Sequence, residues 1–572
     1  MGTVDVGSAS HPSSPEVCSV LPRDELAAAT LGRACDLGAS AAQVLLHRGF
    51  GEPTEAHDFL DASLRGLSSP DTMADRAAAA DRLARAVRNR ERVVVFGDYD
   101  VDGTTSALIL AEVLRALGGD AQIVIADRFR GGYGLSDAGL DRCLEADPAV
   151  LVTCDCGSSD HRRIERARDC GIDVLVVDHH LVPHEPLPAL AFLNPNRPEC
   201  GFGFKGLCSA GLAFSLGAAV RSELGAKIDL RPWLDLVAIG TIADLAPLTG
   251  DNRRLVRAGL RRLGSPGTRP ALRALRQVTK LRDSPYITAR DVAFRLAPRL
   301  NAPGRLGHAD LTLRLLAADT AAEAWRLVEE VERANDERKA LTAQATDEAR
   351  AQALEVYGEA PEGGIVVASD AWHRGVVGIV AARLVDTWGV PAVVIAWDGD
   401  EGHGSARTPE GFDVYRAIAA SADALEGWGG HRAAAGLSLH KARFEAFRSA
   451  FSAASAQTPT DVASPKAADV ELGGVYGVPS IDDLCRLGPF GEAFPTPKFL
   501  VHAHLVSATG VGEGKAHAKL QLRVADASVR AFAPQMYERL AGRETATLVG
   551  EFQPDHFIGG QAIEFLVTDV ID

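Results

Sequence analysis

The sequence predicts an α/β protein in which a parallel-sheet domain and a smaller α/β domain are joined by a long helix, with an all-β module at the C-terminal end. Three observations predict it. From Arg92 onward apolar runs alternate with helix-like segments, the signature of a parallel sheet flanked by helices. Ala321 to Tyr357 is polar and charged with few breakers, as a helix bridging two domains would be, although two helices with a bend fit the same pattern. Past residue 467 short alternating segments such as Phe499 to Val506, Ala518 to Val524 and Ala546 to Phe552 take over, and these suit a small barrel.

A chain of 572 residues exceeds what one hydrophobic core organises, so three or four domains are expected. Met1 to Pro15 is rich in Ser, Gly and Pro and lacks the basic start and apolar stretch of a secretory signal, which predicts a disordered lead. Helical patterns, Ala27 to Arg48 and Asp75 to Arg88 among them, complete an N-terminal region over 1–90. The sheet domain spans 91–318, with strands at Val93 to Phe96, Gln122 to Ala126, Val150 to Thr153, Val174 to Val177 and Leu190 to Leu193. The connecting helix covers 319–358 and the second α/β domain 359–451, which holds the glycine-rich stretch Gly402 to Gly436. A linker rich in Ala, Ser, Thr and Pro at 452–466 precedes the all-β module at 467–572.

Composition narrows the function. No apolar run reaches the ~18 residues of a membrane helix. Nine cysteines without a CxxC pair fit a reducing compartment, hence the cytoplasm. A net charge of −16 excludes a protein that coats nucleic acid by bulk charge, so any nucleic acid must meet a local basic groove.

The densest chemical signal is Asp98, Asp100 and Asp102 in GDYDVDG, directly after the first strand and before a helix expected near Thr104. Three carboxylates at one strand end repel and raise one another's pKa values, which asks for a divalent cation. A solvated turn with a capping aspartate is the plainer reading, but Gly97 and Gly103 bracket the cluster as backbone-shaping residues would. LVTCDCG delivers Asp155 in the same way, VLVVDHH delivers Asp178, His179 and His180, and AIGTIADLAPL delivers Asp244. Imidazole beside carboxylate suits manganese, zinc or iron as well as magnesium. Cys154 and Cys156 flank Asp155 and are expected to face away from it as small apolar packing.

Taken in order, DYDVDG, CDCG, VDHH and GTIADLAPL resemble the four motifs of the DHH phosphoesterase superfamily. The resemblance implies two divalent cations, Mn2+ or Mg2+, on Asp100, Asp102, Asp155, His179 and Asp244, with Asp155 bridging the pair. It also implies that His180 faces the phosphate while Asp178 orients a histidine. Some relatives carry a histidine ligand where Phe96 stands here, and Asp98 is the candidate to compensate. Asp155, His179 and His180 are thereby the catalytic candidates.

Five further stretches, among them DRFRGGYGLS at 127–136, PRLNAPGRLGHA at 298–309 and WHRGVVGIVAARL at 372–384, are similar to the superfamily's bacterial single-strand-specific exonuclease branch. GHGSARTPEGFD at 402–413 and GWGGHRAAAGLSL at 427–439 belong to the same set. They imply that Arg128, Ser405, Arg407 and one of Arg299 and Arg305 hold a 5′-terminal phosphate, a task suited to guanidinium forks. His431 is placed at the substrate, and His373 stands evenly between substrate contact and a structural role. The C-terminal module resembles an OB fold led in by LGPFGEAFPTPKF at 487–499, with Lys515, His517 and Lys519 clustered in it. The expected function is a 5′-to-3′ exonuclease on single-stranded DNA, acting as a monomer in repair and recombination, with a single-strand-binding protein and a helicase as expected partners. Two rivals remain: a DHH phosphodiesterase acting on short oligonucleotides or cyclic dinucleotides, and a catalytically silent scaffold of the same fold.

Overall fold

Five strands, β1 (Arg92–Gly97), β2 (Asp120–Ile125), β3 (Val150–Cys154), β4 (Asp173–Val177) and β5 (Ala191–Leu193), pair in parallel in the order β2-β1-β3-β4-β5. The computed structural model describes residues 19–281, 284–459 and 467–571, so the lead expected at 1–15 lies outside the described residues. Both faces of this sheet are covered, which is why its strands read as continuous apolar runs. Val93, Val95, Val152 and Leu175 pack on one side under the helices Val101–Ala116 and Ser209–Glu223. Val94, Phe96, Leu151 and Val176 pack on the other under Asp137–Leu144 and His161–Asp169. Between β1 and β3 the strand order reverses, and a crevice opens at the carboxyl ends where ligands bind in such sheets.

The helix after β1 begins at Val101, earlier than the expected start near Thr104, because Asp100 caps it by accepting a 3.0 Å hydrogen bond from the Gly103 N–H. The bridging helix is one unbroken element, Ala321–Tyr357, about 55 Å long at 1.5 Å per residue. Ala324, Leu327, Val328 and Val331 bury its first half in the sheet domain, whereas Ala345, Ala349 and Ala353 bury its second half in the next. That second domain is a mixed sheet of β6 (Ile365–Ser369), β7 (Ala392–Asp398), β8 (Glu401–Arg407), β9 (Gly427–His431) and β10 (Ala434–His440), ordered β6-β7-β8-β10-β9. Its last helix, Phe444–Gln457, takes over the start of the expected linker because Phe447, Phe451 and Ser455 are buried against the sheet. Residues 460–466 lie outside the described residues.

The C-terminal module has β11 (Val470–Glu471), β12 (Phe499–Val511), β13 (His517–Val524), β14 (Ala527–Ala533), β15 (Thr545–Pro554) and β16 (Ile563–Ile571). Pairing of β12 with β15 closes the last five into a barrel. The N-terminal helical region divides between two cores: Leu83 and Ala84 join the sheet domain, while Leu31, Leu45 and Leu60 share the barrel's core with Phe499 and Leu484. Spacing shows that a helix has an apolar face but not which surface it will meet. The lead-in segment fastens the barrel to the sheet domain. Leu248 donates its N–H to the Glu492 carbonyl at 2.8 Å, and buried Arg253 stacks over Phe59 at 3.6 Å while donating to the carbonyls of Arg486 and Leu487.

Candidate active site

The sheet's hydrogen bonding continues one step past three strands, and each extra step positions an acid. The backbone N–H groups of Asp98, Asp155 and Asp178 donate to Cys154, Val177 and Leu193, the last residues of the neighbouring strands. Gly97 and Gly103 permit the fold-back after β1, since a Cβ on Gly103 would lie 2.5 Å from the Asp98 nitrogen and one on Gly97 would lie 2.5 Å from the Gly103 carbonyl. Asp155 turns sharply with φ 65°. That turn breaks strand alternation, so Cys154 and Cys156 enter the cores on opposite faces of the sheet. Both are fully buried, and neither joins a group of possible metal donors among the described residues.

Asp102 lies in the first turn of its helix and faces the N-terminus of Ser209–Glu223, where the N–H groups of Ser209 and Ala210 donate to it at 2.8 and 3.0 Å. The Ser209 hydroxyl donates to Asp155 at 3.2 Å. Asp244 closes the group as C-cap of Leu234–Ala243. Three sets of donor atoms among the described residues, from Asp98, Asp100 and Asp155, from Asp155, His179 and His180, and from Asp102, Cys208 and Asp244, are each close enough to hold an ion.

Electrostatics make the cluster unstable without positive charge. Burial first, and then the Asp100 charge, push Asp98 and Asp155 well above the usual carboxylate range. Burial with Asp100 raises Asp102 to about 6, and burial with Asp102 and Asp100 raises Asp244 to about 9. His179 moves the other way, to about 4, through burial and the neighbouring His180. Its imidazole is therefore neutral at pH 7, and its contacts with Asp155 at 3.2 Å and Asp244 at 3.7 Å are not ion pairs. The Nε2 atom is sealed from solvent without a hydrogen-bond partner. A neutral imidazole aimed at buried carboxylates is the donor set of a divalent metal centre, so these residues fit one.

His180 is built differently. Burial opposes its charge, but the Asp178 carboxylate 2.7 Å from Nδ1 outweighs that and raises it to about 9. Asp178 also accepts the backbone N–H groups of His179, His180 and Ser158, so it holds the whole turn and orients His180 rather than His179. Asn194 and Asn196 grip the carbonyls of His180 and His179 from the other side. Tyr133 donates to the Asp155 carbonyl at 3.1 Å and stands 3.0 Å from His180 Nδ1. Nothing in the spacing around Ser209, Asn194 and Asn196 marks them, while Tyr133 sits within the GGYG run of the 127–136 stretch.

Opposite the acids lies a cationic group contributed by both domains. Arg128 stacks over Tyr99 at 4.4 Å and approaches Asp98. Burial and the nearby charges of Arg128, Arg338 and Arg407 lower Arg305 to about 10, and burial with Arg128 lowers Arg407. Arg407 donates to the Ser405 hydroxyl at 2.9 Å, and Arg305 donates to the Gly375 carbonyl across the domain boundary at 3.2 Å. Of the two alternatives, Arg305 joins this group. Arg299 does not: its guanidinium pairs with Glu332 of the bridging helix at 2.5 Å, because its position on the short helix Ala297–Leu300 faces that element. His431, the last residue of β9, is exposed and lies parallel to the His180 ring with centroids 6.5 Å apart. His373 instead packs beside Phe129 at 5.4 Å and accepts the Gly375 N–H, a structural contact between the domains.

A parallel sheet with acids and histidines at its switch point, a glycine-rich second domain and a closed barrel define a DHH-type phosphoesterase with an appended OB module. The DHH family N-terminal domain matches residues 92–241, the DHHA1 domain 362–457 and the RecJ OB domain 476–569. The single-stranded-DNA-specific exonuclease RecJ of Escherichia coli K12 is 34% identical over 476 residues, covering 79% of this chain and 82% of that protein. RecJ of Bacillus subtilis 168 is 35% identical over 84% of this chain, which spans 61% of that longer relative. The crystal structure of RecJ with Mn2+ from Thermus thermophilus superposes with a TM-score of 0.79 at 32% identity, covering 97% of this chain and 79% of that one. The chain belongs to the RecJ family of single-stranded-DNA-specific exonucleases. Among the described residues no helix is long and apolar enough to cross a membrane.

Proposed function

We propose that this protein hydrolyses single-stranded DNA from the 5′ end, releasing 5′-mononucleotides, as a monomer in the cytoplasm. The observation that carries the reading is the buried acid–imidazole cluster facing the Arg128, Arg305 and Arg407 group across one cleft. Asp100, Asp102, Asp155, His179 and Asp244 would hold two divalent cations, Mn2+ or Mg2+, with Asp98 supporting the first pair of ligands. Bound there, such a pair supplies a water nucleophile and Lewis acidity for in-line displacement at phosphorus. The T. thermophilus structures with Mn2+ and with Mg2+ support this choice of ions.

The protein's own groups then divide the work. Arg305, Arg407 and Ser405 bind the 5′-terminal phosphate, and Arg128 neutralises the strand as it nears the acids. His180 is cationic at neutral pH through Asp178 and donates a proton to the departing 3′ oxygen. His431 lies over His180 and guides the terminal nucleotide onto it. The barrel carries the trailing strand, with Lys519 4.6 Å from the exposed Phe557 ring as one place for a base to stack. A single-strand-binding protein and a helicase would present such strands.

The test is digestion of 5′-labelled and 3′-labelled single-stranded DNA with Mn2+, beside an Asp155→Ala control. Early release of labelled mononucleotide from the 5′-labelled strand alone, lost in the control, is the expected result. Turnover of dinucleotides without cleavage of long strands would transfer the reading to a small-substrate phosphodiesterase, and inertness toward both to a scaffold.

A further inference from the structure

One donor in the acid cluster is not an oxygen or an imidazole. Cys208, fully buried, precedes the helix Ser209–Glu223, and its Sγ lies 3.2 Å from Asp102 Oδ1 and 3.5 Å from Thr241 Oγ1. The ligand atoms of Asp102, Cys208 and Asp244 all lie within 4.8 Å of one another. A second, separate observation lies at the edge of the same space. Nε2 of His179, buried and lacking a hydrogen-bond partner, stands 3.7 Å from Asp244. Sulfur and two carboxylates converge there, and the imidazole nitrogen stands beside them, between Asp155 at 3.2 Å and Asp244 at 3.7 Å.

We propose that Cys208 gives the centre a second binding mode, in which a thiophilic divalent ion such as zinc or cadmium is held by Cys208, Asp102, Asp244 and His179. A tetrahedral ion with ligands at about 2.0–2.3 Å sets its donors roughly 3.3–3.8 Å apart. The 3.2 Å and 3.7 Å separations already present approach that spacing. Manganese and magnesium favour oxygen, so with them the thiol keeps its proton and serves Asp102 as a hydrogen-bond donor. With a soft ion the S–H bond breaks, a metal–sulfur bond forms and the proton passes to water. Asp102 and Asp244 are then withdrawn from the pair of hard ions, so the soft ion inhibits hydrolysis. The proposal rests on reading the cluster as the metal centre.

The experiment separates the two readings. Binding of Mn2+ alone, followed by its paramagnetic resonance signal, tests the centre. Binding of Cd2+ alone, followed by sulfur-to-cadmium charge-transfer absorption, tests the thiol. The starting protein carries Cys170→Ser, which removes an exposed thiol. Expected are one cadmium–sulfur band per chain, its suppression by excess Mn2+, and its loss in both Cys208→Ser and Cys208→Ala. Both variants keep Mn2+ affinity within about twofold of the parent and need roughly tenfold more Zn2+ for half inhibition. Unchanged melting temperatures show that the variants are folded, and should one variant not fold the other decides. A band that survives either folded variant, or no Mn2+-sensitive band at all where Mn2+ still binds, overturns the thiol mode and leaves the metal centre standing. Failure of the parent to bind Mn2+ overturns both.

Discussion

A cluster of negative charges and a cluster of positive charges face each other across the cleft, and they obey one rule with opposite signs. In the sheet domain, Asp98, Asp102, Asp155 and Asp244 are held close enough, and deeply enough, that their pKa values rise. In the group opposite, Arg305 and Arg407 are held so that theirs fall. Each group is costly by itself because burial and repulsion both penalise its charge. The acids are relieved by divalent cations, and the arginines would be relieved by the phosphate proposed for them. The difference lies in rigidity. The acids hang from a parallel sheet, a helix N-terminus and a helix C-terminus of one domain, whereas the arginines come from three separate elements meeting at a domain boundary. The acid cluster is thereby fixed within one domain, while the arginine group depends on how two domains dock.

Among these substitutions the largest effect should come from His180, the charged imidazole beside the acids. His180→Ala should lower kcat about 10²–10⁴-fold with little change in Mn2+ affinity. In the parent, the proton of His180 is present below about pH 9 and lost above it, so kcat should fall as pH rises through that value. Asp178→Asn should move that limb toward about pH 6.5, the unperturbed imidazole value, which a pH–rate profile reads directly. A limb that stays in place would remove His180 from proton transfer.

Next comes the arginine side. Arg305→Ala should weaken binding of 5′-phosphorylated strands by about 1.5–3 kcal/mol, raising KM roughly 10–150-fold with a smaller change in kcat. Strands with a 5′ hydroxyl should lose much less. Equal losses on both substrates would break the comparison by showing that Arg305 only joins the domains.

A smaller effect concerns stability. The folded pKa values of Asp102 and Asp244, about 6 and about 9, lie above the unfolded carboxylate value, so the folded state retains protons that the unfolded state releases. Cation-free protein should therefore lose stability as pH rises from about 4 to about 9. Mn2+ at about 100 times its Kd should restore about 2.7 kcal/mol, with a larger rise in Tm at pH 9 than at pH 5. A Tm independent of pH and metal would show that the acids are not strained. The smallest effect is expected at Arg299→Ala, which removes a single ion pair with Glu332 worth up to about 1 kcal/mol and should leave KM for both strands unchanged.

Much of this was legible in the residues. Apolar runs marked the five strands of the parallel sheet and alternation marked β12, β13 and β15 of the barrel, whereas β8, β9 and β10 lie in a stretch that reads only as glycine-rich; acids standing directly after the apolar runs identified the carboxyl edge as the site. The motif resemblance went further, bringing together Asp100, Asp102, Asp155, His179 and Asp244 from positions far apart in the chain. Other features had no local signal. Cys208 and Ser209 enter the cluster only because their helix starts against Asp102. Tyr133 lies in the marked 127–136 stretch, but its reach across a loop to His180 had no mark of its own. Arg299 and Arg305 occupy the same stretch, and only their orientation on successive helical turns sends one to Glu332 and the other to Arg407.

By itself, then, the sequence determined the elements, the chemistry of the acid cluster and the family, because each follows from local periodicity or from residue types at fixed spacing. The tertiary structure alone decided which histidine Asp178 charges, which arginine joins Arg128 and Arg407, and that the first three helices complete the core of a barrel more than 400 residues later. Those outcomes depend on which buried surfaces and charges meet in space, and such meetings are settled by the packing of the whole chain.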